Sequence, residues 1–172
     1  PEVKPSPTGP AVSSSDTPTA TRTATPTCAS GYSIKTEKRQ PSSCAAGPYS
    51  GIGFNNYSNA YSIDGSYAST NAANFNNASI KCSSYGFNIP TGSTIVQVDV
   101  VATVANSASC QSQPYTKQVG VSKNNSTFTS ITILDNRDPW LSTATTYTYD
   151  NDLWSTTWTP AEVNSSNFAT AI

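Results

Sequence analysis

The longest regular alternation of apolar and polar side chains runs from Thr94 to Ala105. Successive side chains of a β-strand point to opposite faces, so every second residue shares a face. Gln97, Asp99 and Thr103 fall on one face of this segment. The other face carries Val96, Val98, Val100, Ala102 and Val104. We therefore predict a strand over 94–105 with its valine face toward a core.

Shorter alternations of the same kind occur from Cys28 onward, separated by turns rich in Gly, Asn and Pro. The pattern predicts an all-β domain over 28–172, an antiparallel β-sandwich of jelly-roll-like type. The segment 47–77 has no sustained period and is predicted to form long loops with one short strand. The other strand candidates are Tyr32 with Ile34, Tyr85 with Phe87 and Ile89 before a turn at 90–92, Val119 with Val121, Ile131 with Ile133, and Tyr147 with Tyr149.

The last alternation, Phe168, Thr170 and Ile172, stops without a turn or a polar tail. We expect either that the native chain continues past Ile172 or that this strand lies at a sheet edge that a neighbour covers. An uncovered edge invites uncontrolled pairing with other chains. The domain is thus predicted to be complete or to lack its final strand. Because the chain does not begin with Met, we also expect a processed chain or a fragment.

Residues 1–27 differ in composition, with six prolines and eleven Ser or Thr. Threonine stands at every second position at the end of this segment, at Thr17, Thr19, Thr21, Thr23, Thr25 and Thr27. The six hydroxyls would share one side of an extended strand or spiral around a polyproline II helix. The segment cannot bury enough apolar surface to fold alone, so we predict an extended arm. Thr alternating with Pro and Ala is typical of O-glycosylated stalks, and a bare flexible linker is the alternative.

Charge and hydropathy exclude two classes of partner. The nine Lys and Arg are scattered among ten carboxylates, giving a net charge of −1, whereas nucleic-acid binding requires a basic stripe. No apolar run approaches the roughly 20 residues that cross a bilayer, so we expect no membrane span.

The four cysteines, Cys28, Cys44, Cys82 and Cys110, predict disulfide bonds and hence an exported, extracellular or cell-surface protein. Zinc is disfavoured because the sequence has neither a CxxC pair nor a histidine. Three pairings are open. We favour Cys28 with Cys44 and Cys82 with Cys110, because local pairs close loops without drawing distant strands together.

Catalysis is not expected. Without histidine no Ser-His or Cys-His dyad can form, and the carboxylates show no glycosidase arrangement. We therefore predict that the protein is not an enzyme and uses no cofactor. The acidic clusters 135–138 and 150–152 are favoured as turn caps over calcium ligands, since neither has the spacing of a calcium loop.

Two further groups of residues are candidate sites. The tryptophans Trp140, Trp154 and Trp158, with nine tyrosines, could stack on sugar rings, although core packing is favoured. Sequons for N-glycosylation occur at Asn56, Asn77, Asn124, Asn125 and Asn164. Each sequon alone is a weak signal because Ser and Thr are so abundant here.

The run 150–164 (Asp-Asn-Asp-Leu-Trp-Ser-Thr-Thr-Trp-Thr-Pro-Ala-Glu-Val-Asn), followed by Phe168, resembles a recurring C-terminal pattern of bacterial and phage-associated surface β-sandwich domains. The stretches 85–90 (Tyr-Gly-Phe-Asn-Ile-Pro) and 64–68 (Asp-Gly-Ser-Tyr-Ala) resemble the same group. Together they cover roughly 55–168. These domains are mostly structural modules, so the resemblance implies a fold more than an activity.

The chain departs from that pattern in its Thr-rich arm and in ending where one more strand is expected. This combination is similar to subunits of extracellular, glycosylated, pilus-like filaments, in which an N-terminal extension completes the sheet of the next subunit. The resemblance therefore implies a structural subunit that polymerises with copies of itself and carries covalent glycans. Because proline cannot donate a ladder hydrogen bond, Pro18 and Pro26 limit any inserted strand to the residues between them or to 11–16. The alternative role for the arm is a glycosylated covering on the outside of the filament. The alternatives are a carbohydrate-binding module on a mucin-like linker and a phage or virion decoration protein.

Overall fold

The computed structural model describes residues 33–49, 54–70, 78–106, 114–132, 140–151 and 153–172. Their regular structure consists almost wholly of antiparallel strands, which confirms the all-β prediction. The strands are β1 (Ser43–Ala46), β2 (Ile80–Ser83), β3 (Asp99–Val104), β4 (Gln118–Ser122), β5 (Thr129–Thr132), β6 (Thr145–Asp150) and β7 (Ala169–Ala171). A 3-10 turn over Tyr57–Ala60 and a short helix α1 over Pro160–Asn164 complete the elements.

Five strands form one sheet in the order β1-β2-β7-β4-β5, and β3 pairs with β6 in a second sheet. The final strand β7 lies at the centre of the larger sheet, paired with β2 on one side and β4 on the other. The expectation that it lies at an edge was therefore wrong. Ala169 and Ala171 are buried, as befits a strand with a neighbour on each side.

The predicted valine strand is present but shorter than expected. It begins at Asp99 instead of Thr94, and Val96, assigned to the core face, is 61% exposed. Val100 is buried and keeps the predicted face. Alternation alone could not locate the start, because the pairing partner β6 ends at Asp150, opposite Asp99.

One apolar cluster joins elements of both sheets. Val100 from β3 packs in the same cluster as Val119 and Val121 from β4. The other buried members are Trp154, Trp158, Val163 and Phe168. The Phe168 ring makes edge-on contacts with Tyr85 and Trp158, at centroid distances of 5.7 and 5.4 Å. The alternating Tyr85, Phe87 and Ile89 thus face the core, although they form no regular strand.

Other predicted strands have mixed outcomes. The pairs Val119 with Val121 and Tyr147 with Tyr149 lie in β4 and β6, and Ile131 lies in β5. Ile34 is in no strand and is 52% exposed, so that prediction was wrong. The described part of 47–77 contains the 3-10 turn and one isolated bridge between Asn55 and Ser69.

Helix α1 was not predicted, although its local sequence explains it. Thr159 accepts a hydrogen bond from the Glu162 backbone, and the Glu162 side chain accepts one from the Thr159 backbone. This reciprocal pair is a capping box, and Pro160 fits the first helical position because its missing N–H has no helical acceptor there.

The disulfide joins Cys44 to Cys82, directly opposite each other in β1 and β2. The favoured pairings of Cys28 with Cys44 and Cys82 with Cys110 were therefore wrong. Their argument rested on chain separation, yet loop-closure entropy rises only slowly with loop length. The register, with a Cα–Cα distance of 4.1 Å, decides the pairing. Cys28 and Cys110 lie outside the described residues.

The chain divides between Thr36 and Glu37, and every element above lies in 37–172. The predicted boundary at 27 and 28 falls outside the described residues. Within the part of the chain that is described, no helix has the length and apolarity that a membrane crossing requires.

Candidate functional site

The hydrogen bonds of the larger sheet fix which backbone groups of each strand point where. Ile80 and Ile172 exchange both backbone bonds, at 2.9 and 3.0 Å. In an antiparallel sheet, successive residues direct their N–H and C=O groups to opposite sides. Ile172 and Thr170 therefore bond toward β2, and Ala171 bonds toward β4.

Ala171 is paired with Gly120, so Gly120 bonds toward β7. Its neighbour Val119 then bonds toward β5, where it faces Ile131. It follows that Ser130 and Thr132 direct their N–H and C=O groups away from the sheet. Among the described residues no strand pairs with that outer side of β5.

The side chains of β5 fasten it to the sheet without covering this edge. Ser130 Oγ accepts a 2.6 Å hydrogen bond from Gln118 Nε2 on the neighbouring strand. Ile131 packs against the core, whereas Thr129 and Thr132 are exposed. β5 therefore offers a fixed row of backbone donors and acceptors next to exposed threonines.

The opposite edge, β1, is less open. By the same alternation, Cys44 and Ala46 direct their backbone groups outward. The 3-10 turn Tyr57–Ala60 lies against this strand. β5 is thus the better candidate for an assembly edge.

Two of the three tryptophans belong to the core. Trp154 is fully buried and donates from Nε1 to the Val98 carbonyl at 2.6 Å, and Trp158 is buried and donates to the Leu153 carbonyl at 3.0 Å. Trp140 is half-buried and donates to Thr116 Oγ1 at 3.2 Å. Core packing is confirmed for Trp154 and Trp158, and a buried ring has no face for a sugar.

A shallow cleft of about 190 Å³ lies beside Trp158, lined mainly by hydroxyl and amide side chains. Its cation is already engaged, since Lys123 Nζ donates to Glu162 Oε1 at 2.9 Å and to the Thr157 carbonyl at 2.6 Å. The hydrogen bond from Lys123 lowers the pKa of Glu162, which favours the charged carboxylate. The cleft therefore presents polar groups but no free acid or base.

Within the described residues, no group of three or more His, Cys, Asp or Glu side chains could hold a metal ion. Asp150 lies at the end of β6 opposite Asp99. Cluster 135–138 and Asp152 lie outside the described residues.

The structure separates the four described sequons into two kinds. Asn56 and Asn124 are exposed. Asn125 is partly buried, with its Oδ1 inaccessible to solvent. Asn164 is also partly buried, and its amide is bonded to the backbone of Ile89. Asn77 and all six arm threonines, Thr17, Thr19, Thr21, Thr23, Thr25 and Thr27, lie outside the described residues.

Of the predicted residues, the structure brings together Cys44 with Cys82 and places Asn124 beside Asn125 in the β4–β5 loop. The sequence did not predict the outward-pointing N–H and C=O groups of Ser130 and Thr132. The apolar alternation at Ile131 predicted the strand β5, but no local signal shows which strand pairs with β5 or that, among the described strands, its other side is unpaired.

Comparison of the chain with models of protein families, with curated proteins and with solved structures found no match.

Proposed function

We propose that this protein is an exported structural subunit of a glycosylated extracellular filament, in which copies of the chain join through β-strand contacts. The observation that carries the proposal is the outward row of backbone groups on β5. A contact between two different surfaces of identical subunits propagates as a helix unless it closes into a ring. An edge strand paired with an extended segment of the next copy is such a contact.

The arm supplies a suitable partner segment. Between Pro18 and Pro26 the sequence is Thr-Ala-Thr-Arg-Thr-Ala-Thr, seven residues free of proline. Each residue there retains the N–H that strand pairing requires, and threonine favours extended structure. The partner edge is also polar, because Thr129 and Thr132 are exposed. The threonine face of an extended segment therefore matches this polar edge, and Arg22 would lie on the opposite face of that segment.

The disulfide bond supports an extracellular location for the protein. Disulfides persist in oxidising compartments such as the cell exterior, and the Cys44–Cys82 bond lies in β1 and β2 of the larger sheet. Low charge, at 11% of residues, suits a surface whose polarity comes from hydroxyl, amide and sugar groups.

The proposal is tested on the full chain, secreted and imaged by negative-stain electron microscopy. We expect fibres from the native sequence. Thr132→Pro removes an outward N–H and should abolish them, whereas Thr132→Val removes the same hydroxyl but keeps that N–H and should leave them intact. Circular dichroism and the thermal unfolding midpoint check that both variants fold.

The arm is tested separately by two double variants. Thr21→Pro with Thr23→Pro removes two backbone N–H donors together with the hydroxyls, and Thr21→Ala with Thr23→Ala removes the hydroxyls and side-chain methyls but keeps both N–H groups. Loss of fibres with the proline pair alone indicates strand pairing by the arm. Loss with the alanine pair as well indicates that the hydroxyls or their sugars are required. A native chain that stays monomeric and binds immobilised polysaccharide would refute the filament in favour of a binding module.

A further inference from the structure

We propose that, of the four described sequons, Asn56 is the preferred site of an N-linked glycan in the folded protein, and that Asn125 and Asn164 cannot carry one. The inference rests on the exported, glycosylated part of the proposed function and not on polymerisation. Of the four described sequons, Asn56 is the one whose side chain is exposed and is not held by the hydrogen bonds or the burial that constrain the other three.

Asn56 lies at the start of a closed surface loop. The loop ends are joined by a bridge in which the Asn55 N–H donates to the Ser69 carbonyl at 2.6 Å and the Ser69 N–H donates back at 3.1 Å. Inside it, Asn59 Nδ2 donates to the Tyr67 carbonyl at 3.2 Å. Asp64 accepts hydrogen bonds from the Ser62 hydroxyl and the Ser66 N–H. Compact loops with close ends present their residues on the surface in a fixed position.

The Asn56 side chain is exposed and makes no capping hydrogen bond to the 3-10 turn that follows. Its backbone φ of 54° is left-handed, a conformation that Asn adopts more readily than most residues. The backbone carbonyl, and not the side chain, accepts from the Asn59 N–H at 2.9 Å. Ser58, which completes the sequon, is also exposed.

The transfer is a substitution at the anomeric carbon of a glycan activated as a polyisoprenyl diphosphate. Asn56 Nδ2 forms a bond to that carbon, the carbon–oxygen bond to the diphosphate breaks, and the diphosphate leaves with the electron pair. One Nδ2 proton passes to a base of the transferase. The product is a secondary amide, which is planar and prefers the trans form, so the sugar lies on the same side as Oδ1.

This geometry excludes a glycan on the Asn164 side chain. Its Oδ1 accepts from the Ile89 N–H at 2.9 Å, and its Nδ2 donates to the Ile89 carbonyl at 2.9 Å. Both bonds use the side of the amide where the sugar would sit. A glycan there would break the pair and leave two backbone groups of a half-buried residue without partners, which is costly.

Asn125 is excluded by burial. Its Oδ1 is inaccessible to solvent, and its backbone carbonyl accepts from Lys81 Nζ at 3.1 Å. A sugar beside that oxygen has no room in the folded chain.

Asn124 is exposed but constrained. Its Oδ1 accepts from the Ser126 N–H at 3.0 Å, the Thr127 N–H at 2.8 Å and the Ser122 hydroxyl at 3.0 Å. A sugar on the Oδ1 side would contact the loop that makes these bonds. We therefore expect lower occupancy at Asn124 than at Asn56.

The test is site mapping of the full chain secreted from a yeast that N-glycosylates, in an Asn77→Gln background. Trypsin then yields peptide 40–81 with Asn56 as its one sequon, and peptide 138–172 with Asn164 as its one sequon. Within this background, Ser58→Thr keeps the Asn56 sequon and Ser58→Ala removes it without touching the asparagine. The analysis uses the folded fraction isolated by size exclusion, with disulfides reduced before digestion.

We expect the glycan mass on peptide 40–81 in the background and in Ser58→Thr, its complete loss in Ser58→Ala, and an unmodified peptide 138–172. An unmodified peptide 40–81, occupancy at Asn124 above that at Asn56, or a glycan on peptide 138–172 of folded protein overturns the inference. Fibre formation is scored separately on the same samples. Monomers that carry the glycan at Asn56 would refute the filament but support the glycosylation site. Fibres without that glycan would support the filament but refute the site.

Discussion

Cys44 and Cys82 face each other across β1 and β2, and their disulfide ties the edge strand β1 to the interior of the sheet. The bond closes a loop with a sequence separation of 38 residues. In the chain-entropy account, a cross-link stabilises the fold by restricting the unfolded chain, increasingly so for longer loops.

We expect the double variant Cys44→Ala with Cys82→Ala to lower the free energy of unfolding by about 3–4 kcal/mol, the amount the chain-entropy account gives for such a loop. Urea denaturation of the native and variant proteins measures the difference. Ser43→Ala, an exposed change in the same strand, is the control and should cost less than about 0.5 kcal/mol. Equal urea midpoints for the native and double-variant proteins would contradict the assignment.

The pair between Asn164 and Ile89 predicts a second, independent loss. Asn164→Ala removes both hydrogen bonds and leaves the N–H and carbonyl of half-buried Ile89 without their partner, at a cost of about 1–3 kcal/mol. Asn167→Ala changes an exposed asparagine three residues away and should be near neutral. Thermal unfolding measures both. A variant at Asn164 as stable as the one at Asn167 would show that the pair contributes nothing.

Burial gives Tyr85 a predicted role in alkaline unfolding. Desolvation raises its pKa to about 12, against a smaller lowering by the hydrogen bond with the Thr170 hydroxyl. Between pH 10 and 12 the unfolded chain loses this proton while the folded chain keeps it. The folded state then binds more protons, so the free energy of unfolding falls as pH rises, by up to about 2–3 kcal/mol.

Tyr85→Phe tests this slope. The variant loses the hydrogen bond to Thr170 and should be about 1 kcal/mol less stable at neutral pH. Its stability should depend less on pH above 10 than that of the native protein. Urea midpoints against pH, with tyrosinate absorbance as a second readout, measure the effect. Tyr67→Phe, at an exposed tyrosine, should keep the native slope, and identical slopes for all three proteins would exclude Tyr85 as the source.

The sequence predicted those strands whose two faces differ. Val119 with Val121 and Tyr147 with Tyr149 alternate with polar or small residues, and both segments are strands. β1 and β2 were missed because each has only four residues: Ser-Cys-Ala-Ala shows no such contrast, and the alternation in Ile-Lys-Cys-Ser is too short to distinguish from a chance pattern. Their stability comes from pairing with other strands, which is not a local property.

Strand order was the larger failure. The alternation ending at Ile172 did not reveal that β7 lies between β2 and β4. Its composition gave no signal, since the Ala-Thr-Ala of β7 lacks charged residues and so do the edge strands β1 and β5. The candidate edge at Ser130 and Thr132 depends on the same order. Because strand order could not be predicted, this edge could not be derived from the sequence either.

The packing of Tyr49 against Gly120 predicts a steric effect that can be divided into two parts. A Cβ at position 120 would meet the Tyr49 hydroxyl and would lie 2.9 Å from the Thr129 carbonyl oxygen. The first atom is the end of a side chain that can be removed, and the second belongs to the backbone of β5. Gly120→Ala should therefore destabilise the fold by about 1–3 kcal/mol, the usual cost of overpacking.

A double-mutant cycle separates the two contacts. Adding Tyr49→Phe removes the hydroxyl that the new methyl meets, so the double variant should recover part of the loss caused by Gly120→Ala. The remainder reflects the Thr129 carbonyl and the Ser130 Cβ, 3.0 Å from the added methyl, which Tyr49→Phe does not relieve. Urea denaturation of the native protein, both single variants and the double variant gives the coupling energy. If the two free-energy changes are strictly additive, the Tyr49 hydroxyl moves away from the new methyl without cost. The contact between Tyr49 and Gly120 would then contribute nothing to the loss caused by Gly120→Ala.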